Sequence, residues 1–143
     1  MIEKFQIIDA SAGSGKTFSL ASNVIIKILT GDEDSYKKVL ALTFTNNSAN
    51  EMKKRILEEL KQISIEPSKS LVFQSSDLSK HFSKNSIKGK AKRILNKILH
   101  NFSFFQISTI DKFNHRLIRS FSGDLSLSSV SYTHLTLPTK RIV

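Results

Sequence analysis

The stretch Ile7-Ile8-Asp9-Ala10-Ser11-Ala12-Gly13-Ser14-Gly15-Lys16-Thr17 decides how the rest of the chain is read. It fits the phosphate-loop pattern of a small first residue, four variable residues and then Gly-Lys-Thr, with Ala10 where Gly is more usual. Phe5 to Asp9 reads as a short buried strand, and from Lys16 onward the apolar spacing becomes helical, the strand–loop–helix order that such a loop requires. A polyphosphate is held well by unpaired backbone N–H groups at a helix start, where the helix dipole also favours negative charge. Gly13 and Gly15 can take positive φ, and Ala10, Ser11, Ala12 and Ser14 are small enough to let the backbone wrap closely. Lys16 is placed to reach the β- and γ-phosphates of ATP, and the Thr17 hydroxyl to ligate Mg²⁺.

Working outward, the spacing predicts a helix over 16–30, with Ala21, Val24, Ile25, Ile28 and Leu29 as its buried stripe and Gly31 as its stop. Asp32 to Ser35 reads as a polar turn. A strand over 38–44 follows, whose apolar run Val39 to Leu42 suits a parallel strand covered on both faces. Ser48 with Glu51 forms a capping box that opens a helix reaching about Ile63, with Met52, Ile56, Leu57 and Leu60 inward. Its other face carries Lys53, Lys54, Arg55 and Lys61 among Glu58 and Glu59 and reads as solvated. Residues 64–85 read as an irregular surface insertion with a short helix at about 78–82. A basic amphipathic helix over 87–102 buries Ile87, Ala91, Ile94, Leu95, Ile98, Leu99 and Phe102; Lys88, Lys90, Lys92, Arg93 and Lys97 form either a solubilising face or a phosphate-contacting one. A third strand over 104–109 leads into a helix over 111–121 with Phe113, Leu117, Ile118 and Phe121 inward. His115 has no Ser, Cys or carboxylate partner and reads as a surface residue.

A chain of 143 residues can bury one real core, and its formal charge of +10 argues for a polyanionic partner. It has no Cys, which excludes disulfides and thiolate metal sites and makes a reducing, cytoplasmic compartment the default. No basic start followed by a long apolar run marks a signal peptide, and no stretch approaches the length of a membrane span.

Three segments in order, Ala10 to Thr17, then Leu42-Thr43-Phe44-Thr45-Asn46 leading into Glu51-Met52-Lys53, then Ile107-Ser108-Thr109-Ile110-Asp111-Lys112-Phe113, resemble the first motifs of UvrD/RecB-type superfamily one DNA helicases, most closely the RecB/AddA-like helicase–nuclease branch. The resemblance covers residues 5–122. It implies an α/β fold: part of a RecA-like P-loop NTPase domain, a parallel sheet with flanking helices, plus a helical insertion over about 64–103. It further implies ATP and Mg²⁺ as cofactors, single- and double-stranded DNA as partner, a helicase–nuclease partner subunit, 3′-to-5′ tracking and a role in DNA repair or recombination. By the same resemblance Thr43, Phe44 and Asn46 bind single-stranded DNA, with Phe44 stacking on a base, and Thr109 and Asp111 touch the DNA backbone. From the residues alone, Phe44 reads first as a strand-end core residue. Asn47 stands where the family commonly has Lys, Asp111-Lys112 where His-Ser is frequent, and no adenine-reading glutamine precedes the loop, since Gln6 is too close to it.

Residues 129–143, beginning Ser129-Val130-Ser131-Tyr132-Thr133-His134, fit neither the family nor a folding pattern. They resemble the translation of a transposase sequencing adapter, so the helicase-like part is expected to span residues 1–128. After Thr109 the chain offers Asp111 and Asp124 but no Asp-Glu pair closing an apolar strand. Phosphoryl-transfer motors need such acids for Mg²⁺ and the attacking water, so the chain as written is expected to bind nucleotide without turning it over. Two other readings stay open: a small-molecule P-loop kinase, and a non-catalytic basic DNA-binding module whose loop holds only an anion.

Overall fold

Gly15 and Gly31 bracket the first element of the computed structural model, which describes residues 15–123. The expected strand at 5–9, the loop residues Ala10, Ser11, Ala12, Gly13 and Ser14, Asp124 and the tail at 129–143 lie outside the described residues. Helix α1 spans Lys16–Thr30, as the spacing predicts, and buries Ala21, Val24, Ile25, Ile28 and Leu29. Gly15 caps it with φ 86°, a conformation that a Cβ disfavours although the space around it is open. Gly31 is needed for the opposite reason: its φ of −82° suits any residue, but a Cβ there would collide with the Ser35 side chain.

The segment after α1 is more than a polar turn. The Asp32 carboxylate accepts from Asp34 N at 3.0 Å and Ser35 Oγ at 3.0 Å, winding residues Ser35–Lys38 into one 3₁₀ turn. That turn drives Tyr36 into the core, fully buried, with its hydroxyl donating to the Lys97 carbonyl at 3.4 Å. Strand β1 is consequently shorter than expected, Leu40–Thr43. It pairs in parallel with β2, Gln106–Thr109, with Thr43 opposite Thr109, so both strands end at the same edge. β2 is also shortened, because Phe102–Phe104 form a 3₁₀ turn.

Between the strands run α2 (Asn46–Ile65), α3 (Leu71–Ser75), α4 (Leu78–His81) and α5 (Lys84–His100), and after β2 comes α6 (Ile110–Phe121). α2 begins earlier than its sequence suggests. Thr45, not Ser48, is the cap: its Oγ1 accepts from Ser48 N at 3.1 Å, while Glu51 turns away to bind Arg55. Met52, Ile56, Leu60 and Ile63 of α2 interlock with Ile87, Ala91, Ile94 and Ile98 of α5 and with the α1 stripe in one cluster. Fully burying each isoleucine contributes about 1.5–3 kcal/mol, so these helical faces supply most of the hydrophobic stabilisation.

Residues 64–85 are not a purely surface insertion. Val72, Phe73 and Leu78 are buried, and Ser70, also buried, donates to Glu59 Oε2 at 2.7 Å while capping α3 through Phe73 N. Leu99 and Phe102, expected inward, are exposed: Leu99 lies off the buried Ile87, Ala91, Ile94 and Ile98 stripe of α5, and Phe102 falls in the 3₁₀ turn that follows the helix end at His100. The basic face of α5 divides. Lys90 donates to the Gly31 carbonyl at 2.6 Å, Arg93 pairs with Glu33, and Lys97 lies 3.3 Å from Glu33 and 3.5 Å from Asp34, whereas Lys88 and Lys92 face solvent.

These cations give the acidic turn a pH signature. Lys38 holds Asp32, Arg93 holds Glu33 and Lys37 holds Asp34 below their ordinary carboxylate values of 3.8, 4.5 and 3.8. Depressed folded values mean that the stabilisation is present above the ordinary values and is lost as pH falls through the lower folded ones. Because the pairs are exposed, the loss is small and screened by salt. Thermal melts from pH 7 to pH 3 are expected to show an acid-side decline that Glu33→Gln makes shallower at low salt; identical profiles would remove the assignment.

The other sheet face departs from expectation. Leu40 and Leu42 are 44% and 37% exposed, and α6 buries no residue, leaving Ile110, Leu117 and Phe121 exposed and Phe113 and Ile118 half-buried. Among the described residues helices cover only one side of the β-pair, so the strand alternates where double coverage was expected. No helix among the described residues is long and apolar enough to cross a membrane.

Candidate nucleotide and nucleic-acid site

The N-terminus of α1 opens onto a cavity of about 360 Å³ lined by Gly15, Lys16, Thr17, Phe18, Glu51 and Arg55. The first intrahelical bond there runs from Ser19 N to the Gly15 carbonyl at 3.0 Å, so the N–H groups of Lys16, Thr17 and Phe18 precede the ladder and carry the positive end of the helix dipole. Lys16 is exposed and Thr17 half-buried on the same lip. Left-handed Gly15, a helix start and a lysine at the mouth of a cavity are what a polyphosphate needs, and they fit ATP. Among the described residues no group of three His, Asp or Glu converges into a metal cage. Mg²⁺ commonly keeps several waters and takes few protein oxygens, so the single Thr17 hydroxyl suits it.

Two residues of this cavity carry no site signal in the sequence. Glu51 and Arg55 fit a capping box and a solvated face, yet they form an ion pair on the cavity wall, Arg55 Nη2 2.8 Å and Nε 3.1 Å from Glu51 Oε1. Their i, i+4 spacing is the available clue to the pairing; their facing the loop depends on how α2 crosses α1.

At the shared end of β1 and β2 the side chains part company. Phe44 is 88% exposed, which overturns its reading as a core residue and leaves its ring face open. Thr43 Oγ1 donates to the Thr45 carbonyl at 3.1 Å, tightening the turn that projects Phe44, and Asn46 is exposed in the first turn of α2. Thr109 is buried; its Oγ1 accepts from Lys112 N at 3.2 Å as the cap of α6. Its side chain is therefore committed to starting the helix. Asp111, exposed in that helix's first turn, is favoured there by the dipole but would repel a phosphate.

The model of the UvrD/REP helicase N-terminal domain matches residues 2–134. The chain belongs to this family. Among its relatives are the RecBCD enzyme subunit RecB of Chlamydia trachomatis, 34% identical over 80% of this chain and 10% of its own length, and an ATP-dependent helicase/nuclease subunit of Lactococcus lactis, 31% identical over 80% of this chain and 8% of its own length. The helicase/nuclease subunit of the same name from Staphylococcus haemolyticus is 48% identical over 42% of this chain and 5% of its own length. The chain thus spans about a tenth or less of the length of these relatives. No solved structure matches it. Membership of a UvrD-like helicase family with RecB and AddA relatives agrees with the resemblance carried by the three motif segments.

Proposed function

We propose that this chain is the nucleotide-binding and first DNA-contacting part of an ATP-dependent DNA helicase of the RecB/AddA kind, built on a RecA-like domain and acting in the cytoplasm on DNA ends in repair or recombination. The family match supports it, and the observation that carries it is that helix α2 links two features: a helix start with Lys16 and Thr17 on a cavity that Glu51 and Arg55 of α2 also line, and an exposed aromatic ring, Phe44, in the turn that leads into α2.

In this reading bound ATP with Mg²⁺ supplies the free energy of phosphoanhydride hydrolysis. Gly15 lets the backbone approach the phosphates, the Lys16 ammonium balances their charge, and the Thr17 hydroxyl offers the metal an oxygen. Helix α2 touches both places: Phe44 and Thr45 lie at its start, while Glu51 and Arg55 face the nucleotide cavity. A shift at the cavity is therefore passed along one rigid helix to the strand-contacting turn. Phe44 stacks on a base without reading its identity, which suits a translocase moving 3′ to 5′ along any single strand. Residues 129–143 are adapter-derived in the same reading, and the remaining motor and any helicase–nuclease partner subunit belong to a longer protein.

Base–aromatic stacking contributes about 1–3 kcal/mol per base, so Phe44→Ala is expected to weaken binding of a labelled oligothymidylate by about 5- to 150-fold. Fluorescence anisotropy reads this directly. Because the ring is exposed, the variant should melt with the unmodified chain; undiminished affinity would sink the DNA-contacting role.

A further inference from the structure

Lys53 projects from the side of α2 away from the nucleotide cavity. Its ammonium lies 5.6 Å from the centroid of the Phe102 ring, which is itself exposed and edge-on to Phe105 at 5.9 Å. Lys112 and Arg116, one turn apart on α6, approach the same place, and Arg116 Nη2 donates to Ser108 Oγ of β2 at 3.3 Å. Three cations from two helices thus gather alongside β2.

Among the described residues none of the three has a carboxylate within ion-pair distance, and the nearest acids on α2 are already engaged, Glu51 with Arg55 and Glu58 with Lys54. Asp111, next to Lys112 in the chain, pairs with none of them. The cost is felt at Lys53, whose ammonium is pushed below its ordinary value of 10.5 first by partial burial and then by the charges of Lys112 and Arg116. Elsewhere the chain pairs its cations readily, as Lys37, Lys38, Arg93 and Lys97 show. Like charges held together without counter-ions are relieved by a polyanion, and the aromatic floor under Lys53 desolvates that anion's contact.

We propose that Lys53, Lys112 and Arg116 form a backbone clamp for a nucleic-acid strand, each neutralising phosphodiester charge while Phe44 stacks on a base. This assignment rests on the DNA-contacting role proposed above and adds the residues that hold the strand's charge. Phosphate contacts position a strand without reading its sequence, which is the complement a stacking ring requires.

The test is the salt dependence of oligothymidylate binding by the whole chain between about 50 and about 200 mM salt, where each neutralised phosphate contributes about 0.7 to the slope of log K against log salt. Lys53→Gln/Lys112→Gln/Arg116→Gln is expected to lower the slope by about 2. The charge-matched Lys84→Gln/Lys88→Gln/Lys92→Gln on the exposed face of α5 should leave it near that of the unmodified chain. Because Lys53 is half-buried, Lys112→Gln/Arg116→Gln is measured as well; both residues are exposed, and about two-thirds of the drop is expected from them. Equal drops for the two triple variants, or no drop for the first, would overturn the clamp. If the unmodified chain binds and Phe44→Ala weakens it while the clamp variants do not, the clamp alone falls; if the unmodified chain does not bind, both proposals fall.

Discussion

Lys16→Ala is expected to weaken magnesium–ATP binding by about 10- to 150-fold, the loss of one hydrogen-bonded charge worth about 1.5–3 kcal/mol. Lys16 stands exposed at the first turn of α1, on the lip of the cavity it shares with Thr17 and Arg55, and its ammonium is in no ion pair among the described residues. Its removal is therefore expected to take away the proposed phosphate partner without disturbing packing, and the melting temperature should hold. Displacement of a fluorescent nucleotide measures the affinity. Equal affinity in both proteins would mean that the loop holds an anion without its lysine and would favour the non-catalytic module. Neither protein is expected to hydrolyse ATP, even with single-stranded DNA present. β1 and β2 end in Thr43 and Thr109, so neither described strand presents the carboxylates that such chemistry uses to hold Mg²⁺ and orient water. DNA-stimulated turnover that Lys16→Ala abolishes would sink that second expectation.

Ile56→Ala is expected to cost about 2–5 kcal/mol, against a total of about 5–15 kcal/mol for a domain of this size. Ile56 is fully buried on α2, the helix that packs against both α1 and α5, and every neighbour it would lose belongs to the single described core. Among the described residues little other packing can compensate. Chemical denaturation should show the midpoint falling sharply with an unchanged slope. Phe44→Ala, by contrast, removes a larger side chain and should change stability by no more than about 0.5 kcal/mol, since that ring buries almost nothing. A midpoint for Ile56→Ala indistinguishable from the unmodified chain would show that α2 is not the centre of the fold.

Helix α1 was legible to the residue because its limits are local: Gly15 and Gly31 punctuate it and the 3.6-residue stripe runs unbroken between them. The cap of α2 was less so. Thr45 and Ser48 both satisfy the preferences of a capping residue, and the choice fell to Thr45 once Glu51 found Arg55. Tyr36 gave no periodic signal, being one aromatic between three acids and two lysines, and its burial follows from the Asp32 turn and the facing Lys97 carbonyl. For α6 the sequence pattern was sound and the inference from it was not. The apolar stripe at Phe113, Leu117 and Phe121 is present, but nothing among the described residues lies over it.

The sequence by itself determined the family and the order of α1, β1, α2, α5, β2 and α6, because these depend on residue type, short-range spacing and the succession of three motif segments. Only the tertiary structure decided which charges are spent and which are free. Glu33 meets Arg93 across 60 residues of chain, a pairing with no local signature. Lys53, Lys112 and Arg116 come together only because α2 and α6 flank the same strand. Long-range electrostatics follow how elements pack, and it is packing that turns a diffuse basic composition into a cluster of unpaired charge alongside β2.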